Sequence, residues 1–206
     1  MGDTRKIVRE GYDLAADAYL AARPADGGDV ALLRALITRL RSGDAVLDAG
    51  CGAGVPVMRH LAKAGLAPVG LDFSPAQLAL ACENVPGAPL VRGDLAALPY
   101  AERSFAAAVS FYAVIHVPRA DHRAVFGEIR RVLRPGGLAL LCLGANDLPE
   151  DHDRESWLGE PMFWSHFDAE TNLRLLSSAG FEVLHDEIVP DPMGHGAHLF
   201  ALVRRA

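Results

Sequence analysis

A short apolar run that ends in alternating glycines constrains this chain more than any other stretch: Ala45-Val46-Leu47-Asp48-Ala49-Gly50-Cys51-Gly52-Ala53-Gly54. The run reads as a buried strand, the glycines as a turn and Val55 to Ala64 as a helix. Strand, glycine turn and helix in that order let a backbone approach a ligand with no side chain in the way. The rest of the chain can be read as the remainder of a nucleotide-type site.

Before this stretch, Thr4 to Ala22 reads as one amphipathic helix with Val8, Tyr12, Ala15 and Tyr19 recurring at helical spacing, so both tyrosines share a face. A Pro/Gly/Asp break follows at Arg23 to Gly28, then a second helix from about Asp29 to Arg41. After the glycine turn, strand and helix patterns alternate. Strands are expected at Pro68 to Asp72, Leu90 to Asp94, Phe105 to Phe111 and Leu138 to Leu143. Helices are expected from Ser74-Pro75 to Asn84, with serine as cap and proline at the first position, and from Arg119 to Leu133. Such alternation implies a doubly wound, mostly parallel α/β sheet with helices on both faces. The end differs. A helix from Ala169 to Ala179 precedes two strands, Phe181 to Val189 and His198 to Val203, whose short Gly/Pro connection makes a hairpin and sends the last strand in antiparallel. Seven strands in all are expected, in one domain, because no linker-like stretch divides the 206 residues.

The formal net charge of −6 argues against a DNA duplex as partner, which calls for a basic footprint. No apolar run is long enough to span a membrane and no signal-peptide core opens the chain, so no membrane partner and a cytoplasmic location are expected. Cys51, Cys82 and Cys142 are scattered, which disfavours a disulfide framework. Nothing in the sequence fixes the oligomeric state.

In an open parallel sheet a ligand sits beyond the carboxyl ends of the strands. After the first strand lie the glycines. After the second lies Asp72, 20 positions beyond Gly52, suited to accept from ribose hydroxyls, with Phe73 next to it to pack on an adenine face. After the third lies Gly93-Asp94-Leu95, where Asp94 can accept from an exocyclic amine. These groups suit an adenosine. A dinucleotide fingerprint fails, because its third glycine is replaced by Val55 or Val57 in the two possible registers, and no Gly-Lys-Ser/Thr follows for a P-loop.

What remains, Asp48-x-Gly50-x-Gly52-x-Gly54, resembles the first motif of the class I S-adenosylmethionine-dependent methyltransferases. Leu71-Asp72-Phe73-Ser74 is similar to their acidic second motif. Gly93-Asp94-Leu95 with Leu98-Pro99 and Ser104-Phe105 is similar to the third, and Leu133-Arg134-Pro135-Gly136-Gly137 to the turn before their fifth strand. The resemblance covers about residues 44 to 144. It implies a Rossmann-like fold and S-adenosyl-L-methionine as cofactor. By the same resemblance the backbone of Gly50, Cys51 and Gly52, followed by Gly54, lines the methionine end, with Asp48 on its amino group. Asp72 holds the ribose, Asp94 and Leu95 contact the adenine, and Ser110 sits near the sulfonium. Tyr12 and Tyr19 cover the methionine carboxylate or the acceptor pocket. The chain then divides into N-terminal helices over the site (1–43), a cofactor-binding core (44–144), a lid or substrate loop (145–168) and a C-terminal helix and hairpin (169–206).

Methyl transfer from a sulfonium is an in-line displacement from an activated donor, so the protein mainly positions the partners and excludes water. A base is needed only where the acceptor must lose a proton. His116, just past the fourth strand, is the first candidate, with packing of the following helix as its other reading; His166 is a second. Tyr112 and the loop tryptophans Trp157 and Trp164 are candidates to line an apolar acceptor pocket, or simply to pack the loop. No metal is expected: Asn146-Asp147 has the wrong order for a catechol-type metal site, and Asp151-His152-Asp153 and His195-x-x-His198 lack a converging third ligand. Motifs for DNA adenine and cytosine methylation are missing. The expectation is therefore a small-molecule methyltransferase acting at oxygen or nitrogen, the alternative being a non-catalytic S-adenosylmethionine-binding partner or scaffold protein.

Overall fold

The computed structural model describes residues 2–24, 26–149, 156–194 and 196–206. The chain runs α1 (Gly2–Leu14), α2 (Ala16–Ala22), α3 (Gly28–Ile37), β1 (Ala45–Ala49), α4 (Val57–Lys63), β2 (Ala67–Asp72), α5 (Pro75–Asn84), β3 (Leu90–Arg92) and β4 (Phe105–Ser110). It continues through α6 (His122–Val132), β5 (Leu133–Gly144), a two-residue pair β6 (Ser156–Trp157) and β7 (Glu160–Pro161), α7 (Ala169–Ser178), β8 (Phe181–Pro190) and β9 (Ala197–Arg205).

The sheet has seven strands in the order β3-β2-β1-β4-β5-β9-β8. β1 to β5 pair in parallel, and β9 runs antiparallel between β5 and β8. The doubly wound architecture expected from the alternating pattern, with its antiparallel last strand, is present. The order reverses at β1, whose neighbours are β2 and β4. The crevice above that reversal is where a ligand meets backbone from several strand ends at once.

Alternate residues of each strand serve opposite faces. Leu47 packs with Phe126, Ile129 and Leu141 under α6 and α7, while Val46 packs with Leu33, Leu61, Leu140 and Phe200 under α3 and α4. α6 is built for this: Val125, Phe126, Ile129 and Val132 recur at helical spacing and all are buried. Two helix starts carry their expected chemistry. Ser74 caps α5, its Oγ accepting from the Gln77 amide at 3.2 Å, and Asp168 caps α7 by accepting from the Thr171 amide at 2.7 Å.

Several boundaries differ from the sequence reading. The first helix is interrupted at Ala15, which is 3% exposed and leaves helical geometry, so α1 and α2 meet as two segments; Tyr12 and Tyr19 still come together, edge to face at 5.6 Å. β3 stops at Arg92, because Asp94 instead forms a local bridge with Ala97. β5 starts earlier, at Leu133, and absorbs the Pro-Gly-Gly turn as a register shift against β4. Among the described residues no helix is long and apolar enough to cross a membrane.

Candidate active site

The glycine turn after β1 is pinned to the end of β2. The amides of Gly50 and Cys51 both donate to the Leu71 carbonyl, at 2.7 and 2.9 Å, and the Gly52 amide donates to Asp72 Oδ2 at 2.8 Å. Gly50 has φ +84°, and a Cβ there would lie 2.3 Å from the Cβ of Ala113. Only glycine lets the turn pass beneath the loop that follows β4. Asp72 also accepts from the Ser74 amide at 2.9 Å, yet burial still raises its carboxyl above the usual range. Asp48 is 2% exposed, and one of its oxygens meets no hydrogen-bond donor. Burial and the neighbouring Asp72 push its carboxyl well up. A cationic group entering the crevice would meet an uncompensated acid.

The crevice is a cavity bounded by Asp48, the turn from Gly50 to Ala53, Asp72, Phe73 and the Gly93-Asp94-Leu95 segment. Its roof is α1, fastened at three points. Ser74 Oγ donates to Asp13 at 2.6 Å at the N-terminus of α5, where the helix dipole favours a carboxylate. Arg5 lies 3.2 Å from Asp94 and 2.8 Å from Asp121. Tyr12 Oη lies 2.9 Å from His116 Nε2.

Beyond the roof tyrosines lies a second chamber, lined by Trp157, Trp164, His166, Asp191 and His198. Tyr12, Tyr19, Arg23, Tyr112 and His116 belong to the walls of both chambers. Trp157 packs against both roof tyrosines, its ring 5.1 Å from Tyr12 and 5.0 Å from Tyr19. Tyr112 holds a left-handed backbone, φ +55°, which a bulky residue adopts only where its surroundings impose it. Those surroundings are visible. Its hydroxyl donates to Asp29 Oδ2 at 3.2 Å, Asp29 is ion-paired with buried Arg23, and the Arg23 guanidinium sits 4.8 Å from the Tyr112 ring centre. One Arg23 nitrogen, Nη1, is buried with no partner.

The structure therefore brings together Tyr12, Tyr19, Asp48, Gly50, Cys51, Gly52, Asp72, Phe73, Asp94, Leu95, Tyr112 and His116 around the first chamber, and Trp157, Trp164 and His166 around the second. Two residues fall elsewhere. Ser110 is fully buried and donates its hydroxyl to the Ala49 carbonyl at 2.7 Å, so it ties β4 to β1 and does not line either chamber. Gly54 lies outside the cavity wall; a Cβ there would press on Val85 at 3.1 Å, so it serves helix packing.

His116 stands at the cavity but is already engaged. Its Nδ1 lies 2.7 Å from the Phe163 carbonyl, which can only accept, so Nδ1 carries the proton and Nε2 accepts from Tyr12. Burial draws its pKa down to about 4. A ring held this way is a weak proton acceptor at neutral pH. His166 donates from Nδ1 to the Asn146 carbonyl at 2.8 Å, and burial lowers its pKa as well.

Asp147 pairs with Arg119, and His198 with Asp191. Asp151, His152, Asp153 and His195 lie outside the described residues. Among the described residues no group of three or more potential metal-ligating side chains converges. Sequence reasoning passed over Arg23, Asp13 and the Asp191–His198 pair. Arg23 had only its position in a Pro/Gly/Asp break, and the others acquire meaning from partners brought close by folding.

Residues 46–137 match the family model of the methyltransferase domain. An uncharacterised methyltransferase of Synechocystis is 33% identical over 157 residues, covering 71% of this chain and 70% of that protein. A sterol 24-C-methyltransferase of Gibberella zeae is 30% identical, covering 72% of this chain and 42% of its own length, so the chain spans less than half of that relative. Among solved structures, the 1,6-didemethyltoxoflavin-N1-methyltransferase of Burkholderia thailandensis, bound to that compound and S-adenosylhomocysteine, superposes with a TM-score of 0.70 at 22% identity over 100% of this chain and 86% of that one. The chain belongs to the class I S-adenosylmethionine-dependent methyltransferases, with S-adenosyl-L-methionine as methyl donor.

Proposed function

We propose that this enzyme methylates a small molecule held in the second chamber, at an oxygen or nitrogen atom. The observation that carries this reading is the shared wall. Five residues, Tyr12, Tyr19, Arg23, Tyr112 and His116, bound both the crevice above the glycine turn and the aromatic-lined chamber beyond it. An acceptor in that chamber would reach the donor methyl where the two chambers meet, between these residues, in a space suited to a compact molecule.

In this reading the donor supplies an activated methyl group and the chain positions it. Asp72 accepts from the ribose hydroxyls, Phe73 flanks the nucleoside, and Asp94 with Leu95 meets the adenine. Asp48, buried with an unpaired oxygen, takes the ammonium of the methionine part, and the backbone of Gly50 to Gly52 runs alongside it. Arg23, through its unpartnered Nη1, takes the carboxylate, which suits a guanidinium fork. The N-terminal helices cover the donor, and the segment carrying Trp157 to His166 forms the outer wall and excludes water. The acidic balance and the three free cysteines, two of them buried, support a reducing cytoplasmic setting and a partner other than a nucleic-acid duplex.

The sterol relatives raise carbon as the competing acceptor atom. Incubation with methyl-labelled S-adenosylmethionine and a library of small phenols, enols, azoles and alkenes tests both. Acceptor-dependent release of S-adenosylhomocysteine with label on oxygen or nitrogen supports the reading, and label on carbon alone contradicts it.

A further inference from the structure

The second chamber holds a group better equipped for proton chemistry than His116 or His166. His198, the second residue of β9, lies opposite Gly144 at the carboxyl end of β5 and so stands at the ligand-binding edge of the sheet. It is 7% exposed. Its Nε2 lies 3.0 Å from Asp191 Oδ2, and its Nδ1 is buried with no hydrogen-bond partner. A carboxylate only accepts, so Nε2 carries the proton and Nδ1 presents a bare lone pair. The carboxylate is itself held: Asp191 Oδ1 accepts from the Met193 amide at 2.6 Å, and the Asp191 amide donates to the Gly196 carbonyl at 2.9 Å.

We infer that His198, oriented by Asp191, takes the proton from an acceptor that carries an ionisable O–H or N–H group. This deepens, and rests on, the reading that the second chamber holds the acceptor. Other groups around His198 are His166 and Asn146 beyond β5, Tyr112 and His116 beyond β4, and Tyr12, Tyr19 and Arg23 from the N-terminal helices. None of these pairs a histidine with a carboxylate. His116 has both nitrogens engaged by neutral groups, and His166 leans on a backbone carbonyl. Among the described residues that line the chamber, Asp191 supplies the negative charge that compensates the imidazolium formed when His198 is protonated, so it is a positioning and charge-balancing residue. The balance is simple. The acceptor oxygen or nitrogen forms a bond to the methyl carbon, the carbon–sulfur bond breaks with its electrons left on sulfur, and the acceptor's proton ends on His198 Nδ1.

Nuclear magnetic resonance of 15N-histidine-labelled protein saturated with S-adenosylhomocysteine tests the geometry without any acceptor. Supporting results are a proton on Nε2 and none on Nδ1 of His198 at pH 8, with Nδ1 protonated on acidification. A proton resident on Nδ1 at pH 8 overturns the proposal. The second arm offers phenol, 4-nitrophenol and N,N-dimethylaniline with methyl-labelled donor. Where a phenol turns over, His198→Gln should lower the rate about 100-fold at pH 7 with unchanged S-adenosylhomocysteine affinity, and the gap should close as the phenol ionises unaided. Asp191→Asn should shift the pH–rate profile in the same sense by a smaller factor. Equal rates for His198→Gln and the parent, or turnover of N,N-dimethylaniline alone, overturn the proposal. Absence of S-adenosylhomocysteine binding by the parent protein would overturn the underlying reading, and the proposal with it.

Discussion

Tyr12 and His116 are joined across the top of the cavity, Oη to Nε2 at 2.9 Å, with the far nitrogen of the same ring 2.7 Å from the Phe163 carbonyl. One neutral imidazole therefore ties α1, the turn after β4 and the segment after β7 into a single roof. This links the covering of the site to the protonation of one side chain.

That link has a pH signature. The ring's pKa falls from 6.5 to about 4 on folding. Between those values the unfolded chain binds a proton there and the folded chain does not, so acid favours unfolding. The His116 contribution is complete above pH 6.5 and is lost as pH falls toward 4, by up to about 3 kcal/mol. His116→Gln should be less stable than the parent at pH 7.5, and the gap should narrow at pH 5. Urea titrations at both values measure it; a gap independent of pH would contradict the buried neutral ring.

Asp48 works in the opposite direction. Its folded carboxyl titrates well above the unfolded one, so the folded state holds the extra proton and stability falls as pH rises through that window. Asp48→Asn removes a buried acid without removing volume. It should stabilise the ligand-free protein by about 1–3 kcal/mol while weakening S-adenosylhomocysteine at least about tenfold. Thermal melts and calorimetry on one preparation read both effects, and a variant that loses stability as well as affinity would refute the assignment.

Arg23 should separate the two ends of the ligand. Arg23→Lys keeps a cation but loses the fork that pairs with Asp29 through one nitrogen and leaves another without a partner. Affinity for S-adenosylhomocysteine should drop by about tenfold, because a charge-assisted hydrogen bond is worth about 1.5–3 kcal/mol. Affinity for methylthioadenosine, which has no carboxylate, should stay the same. Equal losses for the two ligands would mean that Arg23 acts only through folding.

The glycine turn can be tested against an internal control. Gly50 and Gly43 both have positive φ, +84° and +81°, but a Cβ at Gly43 meets nothing within 4 Å while one at Gly50 meets Ala113 at 2.3 Å. Gly43→Ala should cost about 1–2 kcal/mol from backbone strain alone. Gly50→Ala should cost more and abolish S-adenosylhomocysteine binding. Equal costs in denaturant titration would show that the close approach after β4 is not what requires glycine.

These residues also mark what could be read in advance. Strand–helix alternation, the Ser74-Pro75 start of α5 and the glycine turn were legible because each depends on neighbours within a few positions. Asp72 and Asp94 were legible because strand ends converge in an open parallel sheet. The interruption at Ala15 was not, since helical spacing continues through it. Ser110 has a type and position suited to ligand contact, yet its hydroxyl is taken by the Ala49 carbonyl on the neighbouring strand. Tyr112 with Asp29, 83 residues apart in sequence, and Asp191 with His198 across a loop have no local pattern. Their chemistry exists only as a contact.

The most direct test is calorimetric titration of the parent protein and Asp72→Ala with S-adenosylhomocysteine. The expected result is one site per chain in the parent and an affinity reduced at least about tenfold in the variant, through loss of the ribose acceptor. No binding by the parent, or the same affinity in both proteins, would contradict the assignment of the crevice above Gly50 to Gly52 as the donor site.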